Sequence, residues 1–320
     1  MAVTSAVPKE TKPSRLESIT WGNLTWTYVE RPTRNEINEL AKRYPCFHPL
    51  NLDDVLSQIQ RPKLDEYEDH LFLVMHFPVF VKEARICIPS EVDIFVGEDF
   101  LVTVHCSGNL KPLTQLFEKC RDNAQTQQTY MSKGSGYLLY QVLDRLVDYC
   151  FPMLDKIGSN TESIEDTAIS KPVPRTARDI LLARRDIISF RRIIRPQMGV
   201  IETLERKEYS FLGNELAHYF GDIGDHLHKI WESLEDQREI VDALADTSNW
   251  LTSHRIQEVM RILTIFMAII LPIEVIASIE GSNLLPGSWL HNPVSFAVAT
   301  SLQVIILLGM LFFLIRRRWI

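Results

Sequence analysis

The 320-residue chain has no excess of positive charge, no paired cysteines and no glycine-rich phosphate loop, and each absence removes a class of function. A formal net charge of −7 argues against a nucleic-acid binder that works through phosphate contacts. Cys46, Cys87, Cys106, Cys120 and Cys150 are scattered without a C-x-x-C pair. In a reducing cytosol they read as small packing residues and not as a disulfide framework or zinc site. There is no G-x-G-x-x-G, Walker loop, H-E-x-x-H or G-x-S-x-G, so no enzyme reading and no cofactor has support. The "KGSGY" at 133–137 reads as a linker that starts a helix. The opening "MAVTSAVPKE" has no apolar core of signal-peptide type, so the long N-terminal part is expected to stay in the cytosol.

What the chain does have is two long apolar stretches near its C-terminal end. Residues 262–279 are apolar except for Thr264, Glu274 and Ser278, and residues 294–315 carry no charge. A bilayer core of about 30 Å needs roughly 20 helical residues, and both stretches are near that length. Arg255 and Arg261 precede the first, Arg316, Arg317 and Arg318 follow the second, and the segment between has no Lys or Arg. The positive-inside rule then predicts a multi-pass membrane protein with both termini cytoplasmic and a short loop outside. Arg261 can snorkel to the headgroups, and Trp289 and Trp319 suit the two interfaces.

The body divides by pattern into an α+β part and long helices. Residues 1–15 are polar and expected as a disordered tail, and 16–133 as a cytoplasmic α/β domain with a mixed sheet and flanking helices. Within it, "ITWGNLTWTY" (19–28) is β-rich. Thr33 and Glu36 form a capping box ahead of a helix to about Lys42. "HLFLVMHFPVF" (70–80), "VDIFVG" (92–97) and "FLVTVH" (100–105) are strand candidates, the last two joined as a hairpin by Gly97-Glu98-Asp99. Residues 134–208 are expected as long antiparallel helices, one over 137–169 and one over 176–204, separated by "KPVPR". Residues 209–261 form a stalk helix. There Ile223, Leu227, Ile230, Leu234, Val241, Leu244 and Leu251 hold heptad a and d places, which implies a stalk packed against copies of itself. The stalk continues into a first membrane helix at 262–280, a loop at 281–293, a second membrane helix at 294–315 and a basic tail at 316–320.

Two groups of residues carry candidate chemistry. His218, Asp222, Asp225 and His226 share one helical face of the stalk. They read either as a solvated acidic stripe or as a divalent-cation site, since carboxylate and imidazole are suitable ligands. Gln257, Met260, Thr264, Met267, Leu271, Glu274 and Ser278 are spaced alternately three and four residues apart and form a single stripe. A carboxylate in hydrocarbon costs on the order of 3 kcal/mol or more, so Glu274 must face water or a partner. Two helices from one chain cannot enclose a pore. The stripe therefore predicts a path for ions on an oligomer axis, with Met260, Met267 and Leu271 as apolar gates.

At this point several segments match a known pattern. "EVMRILTIFMAIILP" (258–272), "FHPLNLDDVLSQIQRPKLDEYEDHLFLVM" (47–75), "YLLYQVLDRLVDYCFPMLDKI" (137–157) and the Gly281-Ser282-Asn283 turn resemble the CorA/ZntB (2-TM-GxN) family of divalent metal ion transporters. The resemblance covers nearly the whole chain from Trp21. It implies a homopentameric funnel in a bacterial inner membrane, with self, membrane lipid and divalent metal ions as partners. It implies a Gly-Met-Asn turn at the outer pore mouth, to which Gly281 and Asn283 correspond, and an acidic stalk residue that senses internal metal between subunits, to which Asp222 corresponds. Three positions depart from the family pattern. Ser282 replaces the motif Met, Glu280 replaces the aromatic before it, and Glu274 stands where Thr is usual. The whole is similar to the CmaX-like branch. The function this implies is a divalent-cation channel or transporter (Zn²⁺ and/or Mg²⁺, with Co²⁺ and Ni²⁺ as further candidates). The alternative is a non-conducting membrane-anchored scaffold or metal sensor that kept the fold.

Overall fold

The computed structural model describes residues 15–57, 60–81, 86–106, 109–168, 173–212, 216–281 and 293–316. Its chain forms two compact units, Met1–Leu244 and Ala245–Ile320. The first unit is built on a six-stranded sheet. Strands β1 (Arg15–Trp21), β2 (Leu24–Glu30), β3 (Lys63–Glu66), β4 (His70–Val81), β5 (Ile86–Gly97) and β6 (Phe100–His105) lie in the order β1-β2-β6-β5-β4-β3. All neighbours are antiparallel except β2 and β6, which run parallel. The expected β-rich run at 19–28 is in fact a hairpin turning at Gly22, whose φ of 58° favours glycine.

Side chains alternate between the two faces of the sheet and so divide its core. On one face Val29, Phe72, Val74, Phe95, Val102 and Val104 pack with Ile37 and Leu40 of α1 (Arg34–Arg43) and Leu52 of α2 (Pro49–Asp54). Thr33 and Glu36 close the expected capping box on α1. On the other face Trp26 and Tyr28 meet Phe117 of α3 (Lys111–Asp122), edge-on at 5.1 Å and stacked at 4.7 Å. The indole N–H of Trp26 donates to Thr103 Oγ1 at 3.1 Å. The helix α4 (Ala124–Met131) follows directly.

Four longer helices follow among the described residues: α5 (Ser135–Asp148), α6 (Phe151–Ala168), α7 (Val173–Arg206) and α8 (Ala217–Gly281). The single helix expected over 137–169 is two helices, because Pro152 lacks the N–H that an unbroken helix would need and suits a first turn instead. The heptad seam also differs from expectation. Ile223, Leu227, Ile230, Leu234 and Val241 are fully buried within the chain itself. Arg191 pairs with Glu235 and lies 4.5 Å over Trp231, and Arg184 pairs with Asp242 at 3.0 Å, so α7 covers this part of α8. Those five positions are therefore used inside the chain, while Leu244 and Leu251 stay half-buried.

In the second unit, one helix among the described residues is long and apolar enough to cross a membrane, α8 as far as Ser278. A further helix, α9 (Pro293–Arg316), has its apolar stretch at Thr300–Arg316.

Candidate metal centre

Two helices each present a pair of ligands one turn apart, and the two pairs face each other. α5 carries Asp144 and Asp148, and α8 carries Asp222 and His226, both at i, i+4 spacing that puts each pair on one helical side. His226 Nδ1 lies 4.0 Å from Asp144 Oδ1 and 4.0 Å from Asp148 Oδ1, while its Nε2 lies 4.0 Å from Asp222 Oδ1. One ligand atom from each of Asp144, Asp222 and His226 falls within 4.8 Å of the others. The Phe151 ring stands edge-on to His226 at 5.7 Å and restricts its rotation.

These distances are too long for hydrogen bonds. His226 Nδ1 is buried without a hydrogen-bond partner, which is costly for an imidazole nitrogen unless something satisfies it. Two ligand atoms each about 2.2 Å from one ion lie roughly 3.1–4.4 Å apart, depending on the angle they subtend. The two Nδ1 distances, to Asp144 and Asp148, fall in that interval, whereas the Asp222 distance is to the other ring nitrogen, which the same ion cannot bind. Burial pushes the Asp144 carboxyl above its usual range, with further upward pressure from Asp148 and Asp222 and an opposing effect of His226. Carboxylates crowded in this way gain when a cation is placed among them.

The four stalk residues singled out from the sequence are divided by the fold. Asp222 and His226 join Asp144 and Asp148. His218 and Asp225 instead line an adjoining open cleft of about 530 Å³ with Glu205 and Arg206 of α7, although Asp222 touches that cleft as well. Asp144 and Asp148 were missed by sequence reasoning. Their signal was present: an i, i+4 acidic pair on the polar side of an otherwise apolar α5.

The pore candidates lie on α8 in the second unit. Gln257, Met260, Thr264, Met267, Leu271, Glu274 and Ser278 are all exposed in the single chain. The half-buried positions Ile265, Ala268, Ile269, Pro272, Ile273 and Ile276 fall on the opposite side of the helix. Thr264 Oγ1 donates to the Met260 carbonyl at 2.7 Å and so satisfies itself along the helix. Gly281 ends α8, with the Glu280 backbone in its last turn. Ser282 and Asn283 lie outside the described residues.

The chain is similar to known proteins over most of its length. A family model described as "CorA-like Mg2+ transporter protein" matches residues 21–317. The putative metal ion transporter YfjQ of Bacillus subtilis is 30% identical over 306 residues, covering 95% of this chain and 93% of that protein. The cobalt/magnesium transport protein CorA of Thermotoga maritima is 25% identical over 92% of this chain and 83% of its own length. Among solved structures, the complete CorA magnesium transporter of Methanocaldococcus jannaschii superposes with a TM-score of 0.81 at 21% identity, covering 95% of each chain.

Proposed function

The chain belongs to the CorA-like Mg²⁺ transporter protein family, and on that premise we propose that it conducts divalent cations across a membrane through a pore built from several copies of α8. The observation that carries the proposal is the stripe. A membrane-length helix exposes Glu274, Thr264, Ser278 and Gln257 on one side, and nothing among the described residues covers them. Lipid is a poor environment for a carboxylate, so that side belongs against copies of itself around water. α9 supplies a second crossing, which keeps both ends of the chain on one side of the membrane. A homopentamer is the assembly we assign, with Gly281, Ser282, Asn283 and Glu280 at the outer mouth. Relatives named for magnesium, cobalt and zinc transport define the candidate cargo. Native mass measurement together with Mg²⁺, Zn²⁺, Co²⁺ and Ni²⁺ flux into liposomes tests this reading. A monomer that passes none of these ions would leave the scaffold or sensor.

Met260, Met267 and Leu271 lie on the same side and would form apolar rings that dewet the path. Met260→Ser is expected to raise basal flux severalfold. An unchanged leak would place the gate at another ring.

Asp144, Asp148, Asp222 and His226 would hold an internal regulatory ion and favour the closed state when it is bound. Asp222→Ala, or Asp144→Asn, should then raise the internal metal concentration needed for inhibition by roughly tenfold or more, at least the loss expected from disturbing an outer-shell group. Coincident inhibition curves for variant and wild type would reduce the cluster to a solvated acidic face.

A further inference from the structure

A second group of metal-ligating side chains lies at one end of the sheet. Cys46 sits in the loop between α1 and α2, and Asp69 and His70 form the turn from β3 into β4. One ligand atom from each lies within 4.8 Å of the others. Aromatic packing sets these positions. Phe47 stacks on Phe95 at 4.1 Å and on Tyr44 at 4.9 Å, which anchors the loop beside Cys46. His70 stacks on Tyr67 at 4.6 Å, and the Tyr67 N–H donates to the His70 carbonyl at 3.0 Å. Cys46 and Asp69 are exposed, whereas His70 is completely buried.

The state of the His70 ring is informative. Its Nδ1 is 2.6 Å from Asp69 Oδ1, and its Nε2 is buried with no hydrogen-bond partner. The rings of Phe47, Phe95 and Phe100 surround it, with centroids 5.4, 6.5 and 6.4 Å away. The short contact holds one proton between Nδ1 and the carboxylate, and a cation bound at Nδ1 would take its place. The Cys46 sulfur, which lies against the same carboxylate, adds a soft donor suited to a metal ion.

We propose that Cys46, Asp69 and His70 form a binding site for a zinc-class divalent ion, through thiolate, carboxylate and Nδ1, with solvent in the fourth position. Binding would release to water the thiol proton and the proton shared by His70 and Asp69. Tetrahedral ligands about 2.0–2.1 Å from the ion are roughly 3.3 Å apart. The Nδ1–Oδ1 separation must therefore widen slightly, and the exposed Asp69 side chain is free to turn. Sulfur and nitrogen donors select Zn²⁺ and Co²⁺ over Mg²⁺. The site is independent of the transport reading.

The test is titration of the full-length protein with Co²⁺ alone. A thiolate-to-cobalt charge-transfer band should appear in the near ultraviolet, be removed by Zn²⁺ and persist in excess Mg²⁺. The Asp144–Asp222–His226 group has no thiol and cannot produce such a band. Cys46→Ser should abolish it, and Cys106→Ser, at the other exposed thiol, should leave it unchanged. Asp69→Asn, at an exposed position that leaves the core intact, should weaken Co²⁺ binding by roughly tenfold or more. No band in the wild type, a band that survives Cys46→Ser, or full affinity in Asp69→Asn would each overturn the proposal.

Discussion

Glu274→Gln is expected to lower divalent-cation flux in liposomes by roughly tenfold or more and to erode discrimination between divalent and monovalent ions. The substitution keeps size and shape while removing the one full charge on the exposed stripe of α8. A contact with a charged group is worth about 1.5–3 kcal/mol, and each 1.4 kcal/mol is a factor of about ten. Several copies of Glu274 around one axis would multiply the change. Carboxylate oxygens replace water around Zn²⁺ more readily than around tightly hydrated Mg²⁺, so zinc-like flux should fall furthest. Removing a charge from hydrocarbon does not harm insertion, and the variant should assemble with wild-type mass. If flux, ion order and mass all match the wild type, Glu274 is outside the ion path and the stripe loses its meaning.

The second large effect concerns acid. His105 is fully buried at the end of β6 and shares a 2.7 Å hydrogen bond with the Tyr28 hydroxyl, while its Nδ1 has no partner. Burial, helped by the Arg31 charge, pushes its pKa from the usual 6.5 down to about 4. The unfolded chain therefore takes up a proton below pH 6.5 that the folded chain refuses until about pH 4. Stability from this group is complete above pH 6.5 and falls as the pH drops toward 4, by roughly 3 kcal/mol in all. The carboxyls of buried Asp93 and half-buried Asp144 and Asp186 have raised pKa values, so acidification stabilises them and partly masks the loss. Comparing denaturation of wild type and His105→Gln across this range isolates the histidine. The wild-type advantage over the variant should shrink steadily on acidification, and parallel curves would show that His105 does not titrate as a buried neutral ring.

Local rules accounted for much of the α/β unit. The Thr33–Glu36 box, the β5–β6 hairpin and the apolar β4 depend on neighbours within a few residues, and all three are present as expected. The parallel pairing of β2 with β6 was not legible. It joins residues about 75 positions apart and depends on which edges are left once both hairpins have formed. Likewise α3 carries its apolar face toward Trp26 and Tyr28, a contact that no local pattern announces.

On its own, the sequence determined the two apolar C-terminal stretches, the polar stripe that contains Glu274, and the acidic and imidazole side chains at helical spacing on the stalk. Periodicity establishes which residues share a face, because helix geometry is fixed by the backbone. It does not establish what covers that face. Only the tertiary structure assigned the Ile223–Val241 seam to α7 and its neighbours within one chain, brought Asp144 and Asp148 to Asp222 and His226, and placed His218 and Asp225 on a cleft that Glu205 also lines. The same packing left the stripe from Gln257 to Ser278 uncovered. A buried seam and an exposed one look alike in a heptad pattern, and the difference between them is the position of the other helices.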